Sequence, residues 1–292
     1  MTNHFLKKEA KDTFFCEKRT LNCNGRLLLL DEPLVMGILN ATPDSFYEKS
    51  RFSSEKQLLL QVEKMLSEGA DIIDAGGYST RPGAKNISEK EELQRLIPAI
   101  KIILKKFPRI IISADTFRSE VAKAAVENGA SIINDISGGT SDKKMFETVA
   151  KLGVPYILMH IQGTPQTMQN NPQYKNVTKE ILFFFAEKTK QLKELGVKDI
   201  ILDPGFGFGK TLEHNYEILK NLNDFKIFEL PILAGFSRKS MINKVLHTKP
   251  ENALNGTTVL NTMALMKGAK ILRVHDVKEA KEAVKIWKMV NG

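Results

Sequence analysis

Residues that can donate hydrogen bonds, accept them or carry charge follow short apolar runs along the whole chain. In chain order they are Asn40, Asp74, Asp115, Asn134, His160, Asp203, the segment GFSRKS at 235–240, Arg273, His275 and Asp276. Each has a structural alternative by itself: Asp74 could cap a helix, Asn134 could close a turn, and His160 could be a packed, hydrogen-bonded side chain. Polar residues at the ends of eight strands that converge on one face are harder to explain in that way, so convergence would favour a binding site.

Three of these residues are suited to a flat heterocycle. Asp115, Asn134 and Asp203 offer carboxylate acceptors and an amide that both accepts and donates. A carboxylate pairs particularly well with an edge that presents N–H and NH2 groups side by side, because two parallel hydrogen bonds form. These residue types therefore indicate recognition of a ring with alternating N–H and C=O edges.

A second group of residues is suited to an anion. Lys239, Arg273 and His275 supply donors and positive charge, and the loops NATPDSF (40–46) and GGYSTRPGA (76–84) supply hydroxyls and backbone N–H groups. No His/Cys/Asp cluster has metal-ligand spacing, so we expect no built-in zinc, whereas Mg2+ held mainly by substrate phosphates fits. The sequence contains no Ser-His-Asp order or nucleophile elbow. The expected ligand is thus a heterocycle with a phosphate group, processed without a covalent nucleophile.

The stretch DPGFGFGKT (203–211) resembles a phosphate loop but matches neither nucleotide pattern. A Walker A loop needs four residues between its first glycine and Gly-Lys-Thr, and Gly205 leaves only three before Gly209. The dinucleotide fingerprint G-x-G-x-x-G also fails by one residue, since the stretch has G-x-G-x-G. A glycine turn between a strand and a helix is the favoured interpretation, and Lys210 receives no role from it.

Eight apolar runs alternate with amphipathic helical stretches and predict the elements that would position these residues. The runs occupy 33–39, 71–76, 109–115, 130–135, 154–160, 198–205, 230–235 and 269–276. They are rich in Ile, Val and Leu with little alternation, which is typical of parallel strands buried on both faces. Eight strand–helix units predict an α/β fold, a single (β/α)8 TIM barrel, whose active sites lie at the carboxyl ends of the strands.

Residues 1–30 do not fit the repeat. The segment TFFCEKRTLNCNGRLLLL alternates around NCNG, which predicts an N-terminal β-hairpin extension (1–30) before the barrel (31–292). We expect the hairpin to cover the bottom of the barrel. Cys16 and Cys23 could pair across it, but without a secretory signal two free thiols in a reducing cytoplasm are expected.

The amino-acid composition and charge limit the classes of partner that the chain is expected to bind. The chain has 292 residues, 42% of them hydrophobic and 26% charged, and no apolar run approaches the length of a membrane span. The net charge of +9 comes from basic residues scattered along helices and mixed with Glu, which is typical of solvated helix faces. Without an aromatic–basic motif, we expect no nucleic-acid partner, whereas an anionic small-molecule substrate fits the charge.

Eight segments, in order across residues 33–277, resemble the dihydropteroate synthase family. They are GILNATPDSF, GGYSTRPGA, DT at 115–116, IINDISGG, LMHIQGTP, DPGFGFGK, GFSRKS and RVHDV. The resemblance implies a (β/α)8 barrel and a transferase of folate synthesis that is the target of sulfonamides. Its reaction joins 6-hydroxymethyl-7,8-dihydropterin diphosphate to p-aminobenzoate, giving 7,8-dihydropteroate and diphosphate.

The resemblance also implies roles for residues at matching positions. The catalytic set would be Asp115, Lys239, Arg273, His275 and Asn40. The pterin would contact Asp115, Asn134, Met159, Asp203, Phe208, Lys239 and Arg273. The diphosphate would contact Asn40, Thr80, Arg273 and His275, with Asn40 as the protein ligand of a Mg2+ cofactor. The p-aminobenzoate would contact Phe46, Thr80, Arg81, Pro82, Phe208 and Ser237.

The implied mechanism is dissociative: diphosphate departs with the help of Mg2+, Arg273 and His275, Asp115 supports a cation-like methylene, and the arylamine then attacks. The family also implies a homodimer through late helices. The segment NALNGTTVLNTMALMKG (252–268) is apolar enough for such a surface, but it could equally be a core helix.

One residue departs from the family pattern, and two other functions stay open. Tyr78 stands where the second loop of the family usually has Glu, so loop closure here must be stabilised differently if that acid matters.

A methyltetrahydrofolate:corrinoid methyltransferase would share the pterin contacts but has no need of the diphosphate loops. A non-catalytic pterin-binding relative is the other alternative, against which Asn40, Arg81, Lys239 and His275 argue.

Overall fold

A computed structural model describes residues 18–40, 51–78, 86–164, 167–168 and 171–291 of the chain. The strands in these ranges are β1 Thr20–Cys23, β2 Arg26–Leu29, β3 Leu34–Asn40, β4 Ile72–Gly76, β5 Ile111–Asp115, β6 Ile132–Asp135, β7 Tyr156–Met159, β8 Ile200–Asp203, β9 Ile232–Ala234 and β10 Ala269–Val274. Strands β3 to β10 are parallel, each pairs with the next, and β10 pairs with β3 to close a barrel. The predicted (β/α)8 barrel is confirmed.

Helices connect successive strands on the outside of the barrel. They are α1 Arg51–Ser67, α2 Glu89–Lys106, α3 Ser119–Glu127, α4 Met145–Leu152, α5 Val177–Glu194, α6 Leu212–Lys220, α7 Ser240–Leu246, α8 Leu254–Met266 and α9 Val277–Asn291. The short helix α7 is an addition within the connection from β9 to α8. In the part of the chain given above, no helix is both long and apolar enough to cross a membrane.

Local capping chemistry sets where several helices begin. The Ser88 hydroxyl accepts a hydrogen bond from the Glu91 backbone N–H before α2. The Thr211 hydroxyl accepts from the His214 N–H before α6, and the His214 ring in turn accepts from the Thr211 N–H. Such caps satisfy backbone groups that have no partner inside the helix. The second cap fixes the point where the glycine-rich stretch after β8 becomes helix.

Outward-facing strand residues bind the helices to the barrel. Val35, Ile73 and Ile112 are fully buried and belong to one large apolar cluster that also contains Leu96 of α2 and Phe185 of α5. Burying each aliphatic or aromatic side chain of this size contributes about 1.5–3 kcal/mol. This cluster holds the strand ends at fixed positions relative to one another.

The amino-terminal end of the barrel interior is closed by the hairpin. Its β1–β2 turn contains Asn24 and Gly25, whose φ angles of 53° and 82° suit a tight hairpin turn. Leu21 and Cys23 of the hairpin pack against inward-facing residues of the barrel strands. The predicted hairpin at the bottom of the barrel is confirmed. Cys23 is a free, buried thiol whose pKa burial raises to about 12, and Cys16 lies outside the described residues.

The barrel interior changes from apolar to polar within two residues along several strands. The apolar layer beneath the site contains Met36, Ile72, Ile132, Ile157, Ile201, Leu233 and Ile271. Residues two positions further along the strands face the same side, because side chains alternate across a strand. In four of these strands the next inward residues are Asp74, Asn134, Asp203 and Arg273.

Candidate active site

A network of charged side chains occupies the carboxyl end of the barrel. Arg273 of β10 donates from Nε to Asp74 Oδ2 at 2.6 Å and from Nη2 to Asp115 Oδ2 at 2.7 Å. Asn134 Nδ2 donates to the same Asp74 oxygen at 3.1 Å. The other oxygen of Asp74, Oδ1, is buried and has no hydrogen-bond partner among the described residues. Side chains from four strands therefore meet where barrel enzymes carry out their chemistry.

Burial raises the pKa of Asp115 in this network and of Asp203 beside it. The pKa of Asp115 rises to about 7, mainly through burial; Arg273 lowers it, and the neighbouring Asp74 raises it. Burial also raises the pKa of Asp203, while Lys239, the Gly205 N–H and Arg273 act in the opposite direction. The single positive charge of Arg273 pairs with two carboxyl groups, those of Asp74 and Asp115. A proton on Asp115 near neutral pH therefore removes the negative charge that Arg273 does not neutralise.

Asp203 connects this network to the glycine loop, which we define as residues 204–210. Its Oδ1 accepts from the Gly205 N–H at 2.7 Å. Lys239 Nζ donates to the Phe206 carbonyl at 2.5 Å and lies 4.7 Å from the centre of the Phe208 ring. Burial lowers the pKa of Lys239 to about 8, with Asp203 acting to raise it. The loop thereby places an aromatic face and a cation beside a buried carboxylate.

A small apolar cluster lies beside these polar groups. Phe208 and Met159 pack together with Ile136 and Met168, and all four side chains are buried. The Phe208 ring is 9% exposed, so only its edge or part of its face is open to solvent. An apolar wall next to donors and acceptors is the usual composition of a site for a flat organic ring.

The loops after β9 and β10 are joined by contacts between two pairs of residues. Ser237 Oγ lies 2.9 Å from His275 Nδ1 and accepts from the His275 backbone N–H at 3.1 Å. Arg238 donates to both carboxylate oxygens of Asp276, at 3.0 and 2.6 Å. Asp276 therefore holds a loop in place, whereas Ser237 and His275 form a pair at the edge of the charged network.

The structure brings together most of the predicted site residues that it describes. Arg273 is linked to Asp115 directly and to Asn134 through Asp74. Asp203 and Lys239 both hydrogen-bond to the glycine loop. Met159 and Phe208 line the apolar wall, Ser237 and His275 pair, and Asn40 is exposed at the end of β3. Phe46, Thr80, Arg81 and Pro82 lie outside the described residues.

Two functional candidates were given no site role by sequence reasoning. Asp74 is the partner of both Arg273 and Asn134, and its inward position two residues after Ile72 is the signal that could have identified it. Lys210 is 4% exposed and contacts His160 at 3.1 Å between Nζ and Nδ1, and no local sequence pattern indicates this. His160 is a packed, hydrogen-bonded side chain, as expected.

Tyr78 is anchored at the start of the second loop by aromatic and charged groups. Its ring meets Phe117 edge-on at 5.1 Å, and the Arg118 guanidinium lies 5.6 Å from its centre. Arg118 in turn donates to the buried carboxylate of Glu92 at 2.5 Å and to the Ile87 carbonyl at 2.7 Å. An aromatic–cation cluster thus holds the residue that stands in place of the usual acid, and residues 79–85 beyond it are outside the described ranges.

The donor set agrees with a cation that binds mainly through substrate oxygens. In the ranges described, no group of three or more His, Cys, Asp or Glu side chains could hold a metal ion. Asn40 presents an exposed amide at the end of β3, in register with Gly76 of β4. One neutral oxygen ligand suits Mg2+, which keeps several waters and takes its other ligands from phosphates.

Comparisons with known proteins agree on one family. A sequence model described as pterin binding enzyme matches residues 36–275. A dihydropteroate synthase of Haemophilus influenzae is 45% identical over 269 residues, covering 91% of this chain and 97% of that protein. Among solved structures, dihydropteroate synthase of Yersinia pestis in complex with a sulfonamide drug has a TM-score of 0.87 and 42% identity, with 93% of this chain and 99% of that chain covered. Dihydropteroate synthase of Xanthomonas albilineans with 4-aminobenzoic acid has a TM-score of 0.86 and 37% identity, with coverage of 94% and 98%.

Proposed function

The chain belongs to the dihydropteroate synthase family of pterin-binding enzymes, and from this premise we propose its substrates and mechanism. It condenses 6-hydroxymethyl-7,8-dihydropterin diphosphate with p-aminobenzoate to give 7,8-dihydropteroate and diphosphate. The observation that carries the proposal is that Arg273 is linked to Asp115 and, through Asp74, to Asn134 at one end of the barrel. Asp203, whose carboxyl interacts with Arg273, and the Phe208 wall lie beside them. The 4-aminobenzoic acid bound by the Xanthomonas relative supports the second substrate.

Pterin recognition is assigned to the buried carboxylate and amide. Asp203 would accept from the amino and N3–H groups of the ring, and Asn134 would pair with the adjoining edge, since an amide can both donate and accept. Met159 and Phe208 would contact the faces of the ring. Lys239, above the Phe208 ring, supplies positive charge to the acceptor side of the heterocycle.

Diphosphate departure is assigned to the opposite side of the network. The bond between the pterin methylene carbon and the diphosphate oxygen breaks, and its electron pair leaves with the oxygen. Arg273 and His275 would stabilise that negative charge, because preoriented donors lower the energy of a transition state in which charge develops. Asp74 and Asp115 hold the guanidinium in position for this role.

The cation-like methylene is then attacked by the aryl nitrogen, which loses a proton as the new C–N bond forms. The pterin ring supplies electron density to the methylene, and the carboxylate form of Asp115 would add electrostatic support. Ser237, which contacts His275, and Phe208, which contacts Lys239, would receive p-aminobenzoate. Phe46, Thr80, Arg81 and Pro82 remain predictions for this part of the site.

A Mg2+ cofactor and a homodimer belong to the same proposal. Asn40 would hold the ion, which would act as a Lewis acid that neutralises charge on the diphosphate oxygens. A dimer surface on α8 and α9 is supported by large apolar side chains that are exposed there. They include Val259, Met263, Met266, Ile286, Met289 and Val290. We propose that the enzyme works in the cytoplasm, where its substrates are expected.

The test is direct synthesis. Purified protein is incubated with dihydropterin diphosphate, p-aminobenzoate and Mg2+, and both products are measured. We expect dihydropteroate and diphosphate in a ratio of one to one. A corrinoid methyltransferase would not form product that depends on the diphosphate group of the substrate. If the folded protein binds pterin but forms no product, the non-catalytic alternative is correct.

Two substitutions separate the pterin part of the site from the diphosphate part. In calorimetry, Asp203→Ala should abolish pterin binding, because the carboxylate pairs with the ring edge. Arg273→Ala should weaken diphosphate binding far more than pterin binding. Unaltered binding of both ligands by both variants would contradict these residue assignments.

A further inference from the structure

Lys210 ends the glycine loop, and its side chain lies inside the protein. It is 4% exposed, and Nζ donates to the carbonyl oxygens of Gly205 and Phe208 at 2.9 Å each and to that of His160 at 3.2 Å. No ion pair recorded for the described residues involves this amine. Buried lysines are rare because an ammonium is costly to remove from water, so its N–H groups must be hydrogen-bonded. Three carbonyl oxygens match its three N–H donors.

These carbonyl groups come from two segments that are pressed together. Gly205 and Phe208 belong to the glycine loop, whereas His160 directly follows β7. A Cβ atom on Gly205 would lie 2.0 Å from the His160 carbonyl oxygen, so only glycine permits this approach. Carbonyl oxygens that converge on one point repel each other unless a donor lies between them. The Lys210 amine is that donor, and it therefore fastens the loop to the end of β7.

His160 completes the surroundings of the amine. Its Nδ1 lies 3.1 Å from Lys210 Nζ, and its ring meets Phe184 edge-on at 5.0 Å. Burial and then the charge of Lys210 lower the pKa of His160 to about 2. Burial lowers the pKa of Lys210 to about 7, while Asp203 acts to raise it. His160 is thus a neutral ring that contacts the lysine amine through Nδ1.

The same loop also contacts, or contains, residues assigned to the pterin. Asp203 Oδ1 accepts from the Gly205 N–H at 2.7 Å, and Lys239 Nζ contacts the Phe206 carbonyl and the Phe208 ring. A movement of Gly205 or Phe208 would therefore change the orientation of the carboxylate and of the apolar wall. Lys210 and Lys239 donate to different carbonyl groups of this loop.

We propose that Lys210 is a positioning residue for the pterin pocket. It fixes the glycine loop so that Asp203 and Phe208 are oriented before the substrate arrives, and it does so without touching the substrate. The proposal rests on the proposed function, since it concerns the same heterocycle site. It gives a reason for a lysine at a position that neither phosphate-loop pattern explains.

The test compares Lys210→Met, which keeps an unbranched stem of four heavy atoms but removes the amine and its donors, with Ile201→Val. The control removes one methyl group from the apolar layer of β8, two residues before Asp203. Calorimetry measures binding of dihydropterin diphosphate to each protein at a temperature equally far below its own Tm. We expect Lys210→Met to weaken binding by about tenfold to hundredfold, as small misplacements in a site do. The control should bind as the wild type does.

A second measurement follows the contact between Lys210 and His160 by 15N NMR of the His160 ring. In Lys210→Met the Nδ1 signal should shift and the pKa of His160 should rise, because the neighbouring cation is gone. If Lys210→Met does not fold, Lys210→Gln keeps two N–H donors and should bind pterin with an intermediate affinity. A folded Lys210 variant that binds pterin within twofold of the wild type would overturn the proposal. Failure of the wild type to bind pterin would instead overturn the proposed function.

Discussion

At the amino-terminal end of the barrel interior, Ile72 and Ile201 pack beneath the hairpin, whereas two residues later the same strands present Asp74 and Asp203. The apolar residues gain free energy by leaving water, and each fits a closely packed layer. The carboxyl groups lose hydration, and burial raises the pKa of Asp203. The difference teaches that one end of each strand stabilises the fold, while the other end holds groups whose burial opposes it.

The largest effect on function is expected from Asp203→Ala. Removing one partner of a buried, hydrogen-bonded charge pair costs up to about 5 kcal/mol in binding, roughly a few thousandfold in affinity, which would take pterin binding below what calorimetry detects. Because burial disfavours the carboxylate, the free energy of unfolding should be unchanged or slightly higher. Calorimetry and denaturant unfolding measure the two quantities. If Asp203→Ala binds pterin normally but has a lower free energy of unfolding, the carboxyl end of this strand stabilises the fold and does not serve the site.

The matched change at the other end is Ile201→Ala, on the same strand. It leaves a cavity in the apolar layer, and such substitutions lower the free energy of unfolding by about 2–5 kcal/mol. The value of kcat/KM below the new Tm should stay within a small factor of the wild-type value. A loss of activity as large as that of Asp203→Ala, with stability unaffected, would contradict the comparison.

A smaller, pH-dependent effect is expected at Asp115. Its pKa is about 7 in the folded protein against an ordinary value of 3.8 for an Asp carboxyl group in water, so the folded state binds the proton more tightly. The stability associated with the protonated form is present below about pH 4 and is lost as pH rises through about 7. The difference in unfolding free energy between wild type and Asp115→Asn should therefore decline over this interval. A difference that stays constant from pH 4 to 7 would show that burial does not raise this pKa.

The smallest effect is expected at Cys23 in the hairpin. Burial raises its pKa to about 12, so the thiolate that reacts with disulfide reagents is scarce in the native protein. Cys23 should react with such a reagent only on unfolding, in a Cys16→Ser background that removes the other thiol. Rapid reaction of native protein would show that the hairpin does not close the apolar end.

The sequence was sufficient for much of this arrangement. Long runs of Ile, Val and Leu predicted each barrel strand to within a few residues, because parallel strands buried on both faces need such runs. Asn134 and Asp203 were identified because they follow these runs directly. The lysine–carbonyl contacts of Lys210 and the cluster around Tyr78 could not be read in the same way. These contacts form where segments far apart in the sequence come close together in space, as His160 and Gly205 do. A local sequence pattern does not predict such contacts.

The pairing of β10 with β3 has a consequence for biosynthesis. Arg273 lies 199 residues after Asp74 and 158 residues after Asp115 in the chain, yet it is the cation between them. During synthesis both acids leave the ribosome long before the arginine does, and contacts between such distant residues form late in folding. A nascent chain that stops before residue 273 lacks the guanidinium that pairs with both acids. Completion of the last strand is therefore the step that allows the acidic end of the barrel to close.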